Sequence, residues 1–93
     1  MKNIPLSSVC YNQYVMVYCH VYLYIGKVTV PQHGADLSIE TIWTNHPSTP
    51  EGKITRSNFY NKYSKFQIFY KSSFPLDYDD LQDILQDYPE LLL

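Results

Sequence analysis

The stretch Tyr14-Val15-Met16-Val17-Tyr18-Cys19-His20-Val21-Tyr22-Leu23-Tyr24-Ile25 constrains the fold more than any other part of the chain. Its odd positions carry Val15, Val17, Cys19, Val21, Leu23 and Ile25, all compact and apolar. Its even positions carry Tyr14, Met16, Tyr18, His20, Tyr22 and Tyr24, which are bulky and mostly tipped with a polar atom. Strand side chains alternate between faces, whereas a helix would mix the two classes around its circumference. The pattern predicts one long β-strand over about 14–25, with an aliphatic side and a tyrosine side. Extended, such a strand spans roughly 40 Å, about twice the ordinary length.

Gly26-Lys27 ends this run. Glycine at the first central position of a two-residue loop suits a type II′ turn and predicts a hairpin. That register sets Val28 opposite Ile25, Val30 opposite Leu23 and Thr29 opposite Tyr24, so both faces continue onto a second strand. Pro31 lacks a backbone donor and stops that strand early or holds it at an edge. The competing reading makes Gly26 a bulge inside a single longer strand.

Residues 1–13 have no periodicity and read as irregular, with a short strand near Leu6–Cys10. Gln32–Asp36 reads as a loop. Residues 37–44 alternate, with Leu37, Ile39, Thr41 and Trp43 on one side, and predict a third strand. Residues 45–53 hold Pro47, Pro50 and Gly52 and read as a surface loop. Residues 54–63 fit one helical turn through Phe59, Tyr60 and Tyr63, and fit turns through Ser57, Asn58 and Asn61 equally well. Ser64–Lys71 predicts a further strand, with Phe66, Ile68 and Tyr70 on one face and Lys65, Gln67, Phe69 and Lys71 on the other.

The carboxyl-terminal segment predicts a helix over about 77–88. Asp77 suits the cap, Asp80 the third helical position, and Leu76 can staple to Leu81. Leu81, Ile84, Leu85 and Tyr88 recur at i, i+3, i+4 and i+7, which is one apolar face. Asp79 and Asp80 in the first turn suit the positive end of the helix dipole. Pro89 ends the helix, and the closing leucines are expected to dock. These elements predict an α+β fold in a single domain, residues 1–93. It is a mainly antiparallel sheet of 3–5 strands with the helix on its aliphatic face. A helix of this length spans roughly 18 Å and covers only part of a 40 Å strand. The tyrosine face then lacks an obvious cover within the chain.

Charge is unevenly spread. Residues 1–71 hold all seven lysines and arginines against Asp36, Glu40 and Glu51, a balance of +4; residues 72–93 hold six acids and no base, −6. The plain reading folds the acidic segment over a basic sheet in the same molecule; the sharper one aims an acidic surface at a basic partner. The overall −2 argues against general binding of polyanions. Cys10 and Cys19 make no disulfide framework, so a reducing, cytoplasmic setting is expected. No run is long and apolar enough for a membrane span, and the amino end lacks the apolar stretch of a secretory signal.

Chemistry-bearing patterns are sparse. His20, His33, His46, Cys10 and Cys19 match no zinc spacing, and no catalytic or metal-ligating set and no cofactor is assigned. With three glycines in the chain, a phosphate-cradling loop is not expected. Tyr18, Tyr22 and Tyr24 with Lys62, Lys65 and Lys71 resemble the parts of a single-strand stacking platform. The alternating strands and helices of an RNA-recognition module are missing, however, and nucleic acid is not the expected partner.

Two candidate surfaces stand out. Tyr14, Tyr18, His20, Tyr22 and Tyr24 form a tyrosine face suited to non-enzymatic binding or self-assembly, with a homodimer or another protein as partner. Asp79, Asp83 and Asp87 form a carboxylate stripe at i, i+4 and i+8, suited to inhibiting a basic or DNA-binding protein. A third reading is a small-ligand site or enzyme lined by tyrosines and His20. A small accessory protein of a mobile element would suit this size and composition.

Overall fold

The alternating stretch folds back on itself instead of running on as one strand. The computed structural model describes residues 4–5, 8–19, 21–29, 38–47, 53–54 and 66–92. Its strands are β1 (Tyr14–Cys19), β2 (Tyr22–Thr29), β3 (Ser38–Thr44), β4 (Lys53–Ile54) and β5 (Phe66–Ser72). They are followed by α1 (Tyr78–Leu85) and a 3-10 helix, Pro89–Leu92. The strands form one sheet in the order β4-β3-β2-β1-β5, and every pair is antiparallel. This is the α+β class expected, with β4 contributing only two residues.

Cys19 pairs with Tyr22, so the reversal occupies positions 20 and 21 and not Gly26-Lys27. His20 lies outside the described residues, and Val21 is exposed. Neither residue is a turn former, so the sequence carried no local signal for this bend. What favours it is pairing. Folded in half, the stretch supplies two strands of ordinary length that satisfy each other's backbone groups.

The reversal also re-sorts the side chains. Residues paired across a ladder share a face, and here odd-numbered residues of β1 pair with even-numbered residues of β2. Val15, Val17 and Cys19 sit opposite Gly26, Tyr24 and Tyr22 on one face; Tyr14, Met16 and Tyr18 sit opposite Lys27, Ile25 and Leu23 on the other. The expected split into an aliphatic and a tyrosine side is therefore overturned. Each face is a mixture, and each is apolar enough to bury.

Gly26 lies within β2, at a register shift between Ile25 and Gly26 in the pairing with β3. Gly26 is thus neither the hairpin turn nor the bulged residue; the extra residue at this shift lies on β3, opposite it. A Cβ there would run into Ile39 Cγ2 and come within 3.1 Å of the Glu40 carbonyl oxygen. Close approach of β3 is what requires glycine. Val28 and Thr29 pair with Ile39 and Ser38, not with Ile25 and Tyr24; Val30 and Pro31 lie outside the described residues.

Two bulges correct two further face assignments. On β3, Thr41 lies opposite Gly26 but Trp43 lies opposite Ile25, with Ile42 as the extra residue, so Thr41 and Trp43 occupy different faces. On β5, Ile68 pairs with Val17 and Tyr70 with Met16, with Phe69 as the extra residue. Tyr70 joins Phe69 on the helix side, and Lys71 moves to the other, where its Nζ donates to the Ser8 carbonyl at 2.8 Å. A bulge inserts one residue on one strand and inverts every side chain beyond it.

The helix packs on the face of Met16 and Tyr18, not on that of Val15 and Val17. Leu81 and Leu85 bury against Met16, Leu23, Ile25 and Phe69, ringed by Trp43, Tyr70, Leu76, Ile84, Tyr88 and Leu91. Each such leucine is worth roughly 1.5–3 kcal/mol of burial. The Tyr78 ring meets Trp43 of β3 at 5.0 Å, and the Tyr88 ring meets Phe69 of β5 at 5.6 Å. The helix therefore runs across the strands and not along one. β3 and β5 are about 14 Å apart at ordinary strand spacing. Helix from Tyr78 to Tyr88 rises about 15 Å, enough to cross them.

The capping residues fall where expected. The Asp77 carboxylate accepts from Asp80 N–H and the Asp80 carboxylate accepts from Asp77 N–H, both at 2.9 Å. The α-helix closes at Leu85, three residues short of the expected end. Gln86, Asp87 and Tyr88 donate to carbonyls three residues back, a tightened final turn that Pro89 continues as a 3-10 helix.

The other face is closed too. Val15, Val17, Cys19, Tyr24, Val28, Ile39 and Ile68 are buried there with Val9. No strand forms near residues 8–10. Instead Ile4 makes a single bridge to Ile68, and a turn at 10–13 leads into β1 with Asn12 at φ 72°. Asparagine tolerates that left-handed conformation. The readings made for His33, for 48–52 and for 55–65 fall outside the described residues.

Candidate interaction surface

The hairpin decides the fate of the tyrosine face. Tyr14 and Tyr18 lie half-buried on the helix side; Tyr22 and Tyr24 lie on the opposite side. His20 lies outside the described residues. No single open phenolic surface joins these positions, and Tyr18 shares no stacking platform with Tyr22 and Tyr24. Lys27 Nζ sits 5.8 Å from the Tyr14 ring centre, a cross-strand cation–π contact. Tyr22 packs at 4.3 Å against His46, in a corner where Asn45 Oδ1 accepts from Leu23 N–H at 2.9 Å and Thr44 Oγ1 donates to the Leu23 carbonyl at 2.9 Å.

Tyr24 is only 6% exposed. Burial pushes its phenol up from the ordinary value, the Cys19 thiol adds to this, and a hydrogen bond with the Thr44 side chain works the other way. It is a core phenol, held neutral, and unsuited to a binding surface. Cys10 is exposed and Cys19 buried, and they form no disulfide. Among the described residues no three of His, Cys, Asp and Glu come together to hold a metal ion.

Asp79, Asp83 and Asp87 are all exposed; Asp79 and Asp83 lie one turn apart in α1, about 6 Å along its axis, whereas Asp87 lies in the tightened turn beyond the end of α1. Asp77 and Asp80 are engaged in the cap, but no ion pair joins Asp79, Asp83 or Asp87 to a lysine among the described residues. Of the seven basic residues only Lys27 and Lys71 have described side chains, and neither pairs with this stripe. The last turn of α1 carries no base either.

A second feature escaped the sequence reading. Ile42 is 53% exposed, Tyr78 46% exposed, and the half-buried Trp43 ring lies between β3 and Tyr78. Gln82 Nε2 donates to the Tyr78 hydroxyl at 2.6 Å and fixes the ring's outer edge. Tyr78 stands at i, i+3 and i+7 with Leu81 and Leu85, at the edge of the apolar stripe, and that spacing was the available signal. Its pairing with Trp43 depends on the β3 bulge, which no local pattern announces. Trp43 and Tyr78 thus form an apolar step beside the helix next to Asp79, with the exposed Ile42 adjoining Trp43 in β3.

Among the described residues no helix is long and apolar enough to cross a membrane. No family model matches the chain, and no match was found among curated proteins or solved structures.

Proposed function

We propose that this chain is a non-enzymatic binding protein that presents the outer side of α1 to a basic protein partner. The observation that carries the reading is the exposed row Asp79, Asp83 and Asp87, which has no neutralising partner among the described residues. Carboxylates in a row are a poor choice for the stability of a helix, because like charges at i, i+4 repel and acids near a helix C-terminus oppose its dipole. A surface that keeps them is suited to a complementary charge from outside. Self-association through this side is the weaker reading, since a second copy would bring the same carboxylates together. Nor does the sheet need a second copy to cover it, because residues on both faces are buried within one subunit.

The test is binding of poly-L-lysine, followed by calorimetry at low salt, to the parent and to a variant carrying Asp79→Asn, Asp83→Asn and Asp87→Asn. The parent should bind with a strong salt dependence and the variant at least tenfold more weakly. Equal binding by both would remove the acidic stripe as the working surface.

A further inference from the structure

Resting on that reading, we infer that the partner segment is amphipathic: it sets lysine or arginine against Asp79 and Asp83 and seats a bulky apolar side chain on Ile42, Trp43 and Tyr78. Charge alone would not require an exposed apolar step at one end of the stripe. The step is nevertheless there, with Ile42 and Tyr78 about half exposed. Its geometry is held in advance. The Trp43 and Tyr78 rings are 5.0 Å apart, tilted by 46°, and the Gln82 side chain holds the Tyr78 hydroxyl. Rigid aromatic anchors bordered by charge are the features that concentrate binding energy at protein interfaces, because little freedom is lost when they are covered.

Charge complementarity selects the occupant. Residues 77–90 carry six acids and no base. An apolar peptide lacking bases would desolvate Asp79 without compensation, and an acidic one would be repelled. Tyr78 and Gln82 lie on the flank of the helix nearest β3, with Asp79 and Asp83 next to them around the helix. One amphipathic strand or helix laid along that flank reaches both chemistries.

Trp43 is the chain's single tryptophan, so its fluorescence reports directly on this spot. The probe is a synthetic tryptophan-free helical peptide with lysine at i, i+4 and i+8 and leucine on the adjoining face, titrated into the full chain. Trp43 emission should change saturably. Replacing the peptide leucines with serine, or making the exposed-site variant Ile42→Ser, should weaken binding about tenfold while leaving the circular dichroism spectrum of the protein unchanged. If the leucine and serine peptides bind alike, to parent and Ile42→Ser protein alike, the apolar anchor is refuted and the basic-partner reading stands. If Asp79→Asn with Asp83→Asn leaves binding of the leucine peptide untouched, the basic-partner reading falls and takes the inference with it. No binding of either peptide overturns both.

Discussion

Replacing Asp83 with lysine should make this protein more stable. Asp83 lies in the last full turn of α1, which has no basic residue, and it is exposed with no ion-pair partner among the described residues. The Asp79–Asp83 pair lies wholly within the helix at i, i+4, where like charges cost roughly 0.2–0.5 kcal/mol. Lysine at 83 removes that repulsion and gains a comparable attraction to Asp79, in the favourable order of acid before base. Near the C-terminus it also exchanges an unfavourable dipole interaction for a favourable one, each roughly 0.3–1 kcal/mol at low salt. With partial screening, the net gain should be about 1–2 kcal/mol. For a domain of this size each kcal/mol moves Tm by roughly 4–8 °C. The assay is thermal and urea unfolding of parent and Asp83→Lys, repeated from low salt to about 0.5 M, where the difference should shrink because the charges face solvent. An unchanged or lower stability at low salt would refute the reasoning. It would mean that Asp83 already has a compensating partner within the chain, and the stripe would no longer be a surface kept for something else.

Other expectations follow from the sheet. Gly26→Ala should destabilise by about 1–3 kcal/mol in urea titration, because the new Cβ meets Ile39 Cγ2 in a region where Ile39 is fully packed; unchanged stability would mean that β3 can yield there. Tyr24 should confer an alkaline limit. Its folded phenol holds its proton above the unfolded value of about 10, so its contribution is complete below that pH and is lost as pH rises through the higher folded value. Urea midpoints measured between about pH 9 and 11 should fall more steeply in the parent than in Tyr24→Phe; parallel curves would show that burial of this phenol has no such effect.

Local chemistry was legible wherever a signal and its effect lie within a few residues. The reciprocal cap of Asp77 and Asp80, the packing of Leu76 against the core that holds Leu81, and the face of Leu81, Ile84, Leu85 and Tyr88 were all readable, because helix geometry links positions three and four apart without help from elsewhere. The exposure of Asp79, Asp83 and Asp87 was readable for the same reason: they lie off that face. The apolar step of Ile42, Trp43 and Tyr78 was not, because it joins a strand bulge to a helix start.

The sequence by itself determined that residues 14–19 and 22–25 would be extended, that the carboxyl end would be a capped amphipathic helix, and that the class would be α+β. Tertiary structure alone decided which side chains share a face. A reversal at positions 20 and 21 and single-residue bulges in β3 and β5 each invert everything downstream, since strand periodicity is two and a shift of one changes sides. Alternation within a strand tells neighbours apart; only pairing across strands says which of the two sets a helix will cover.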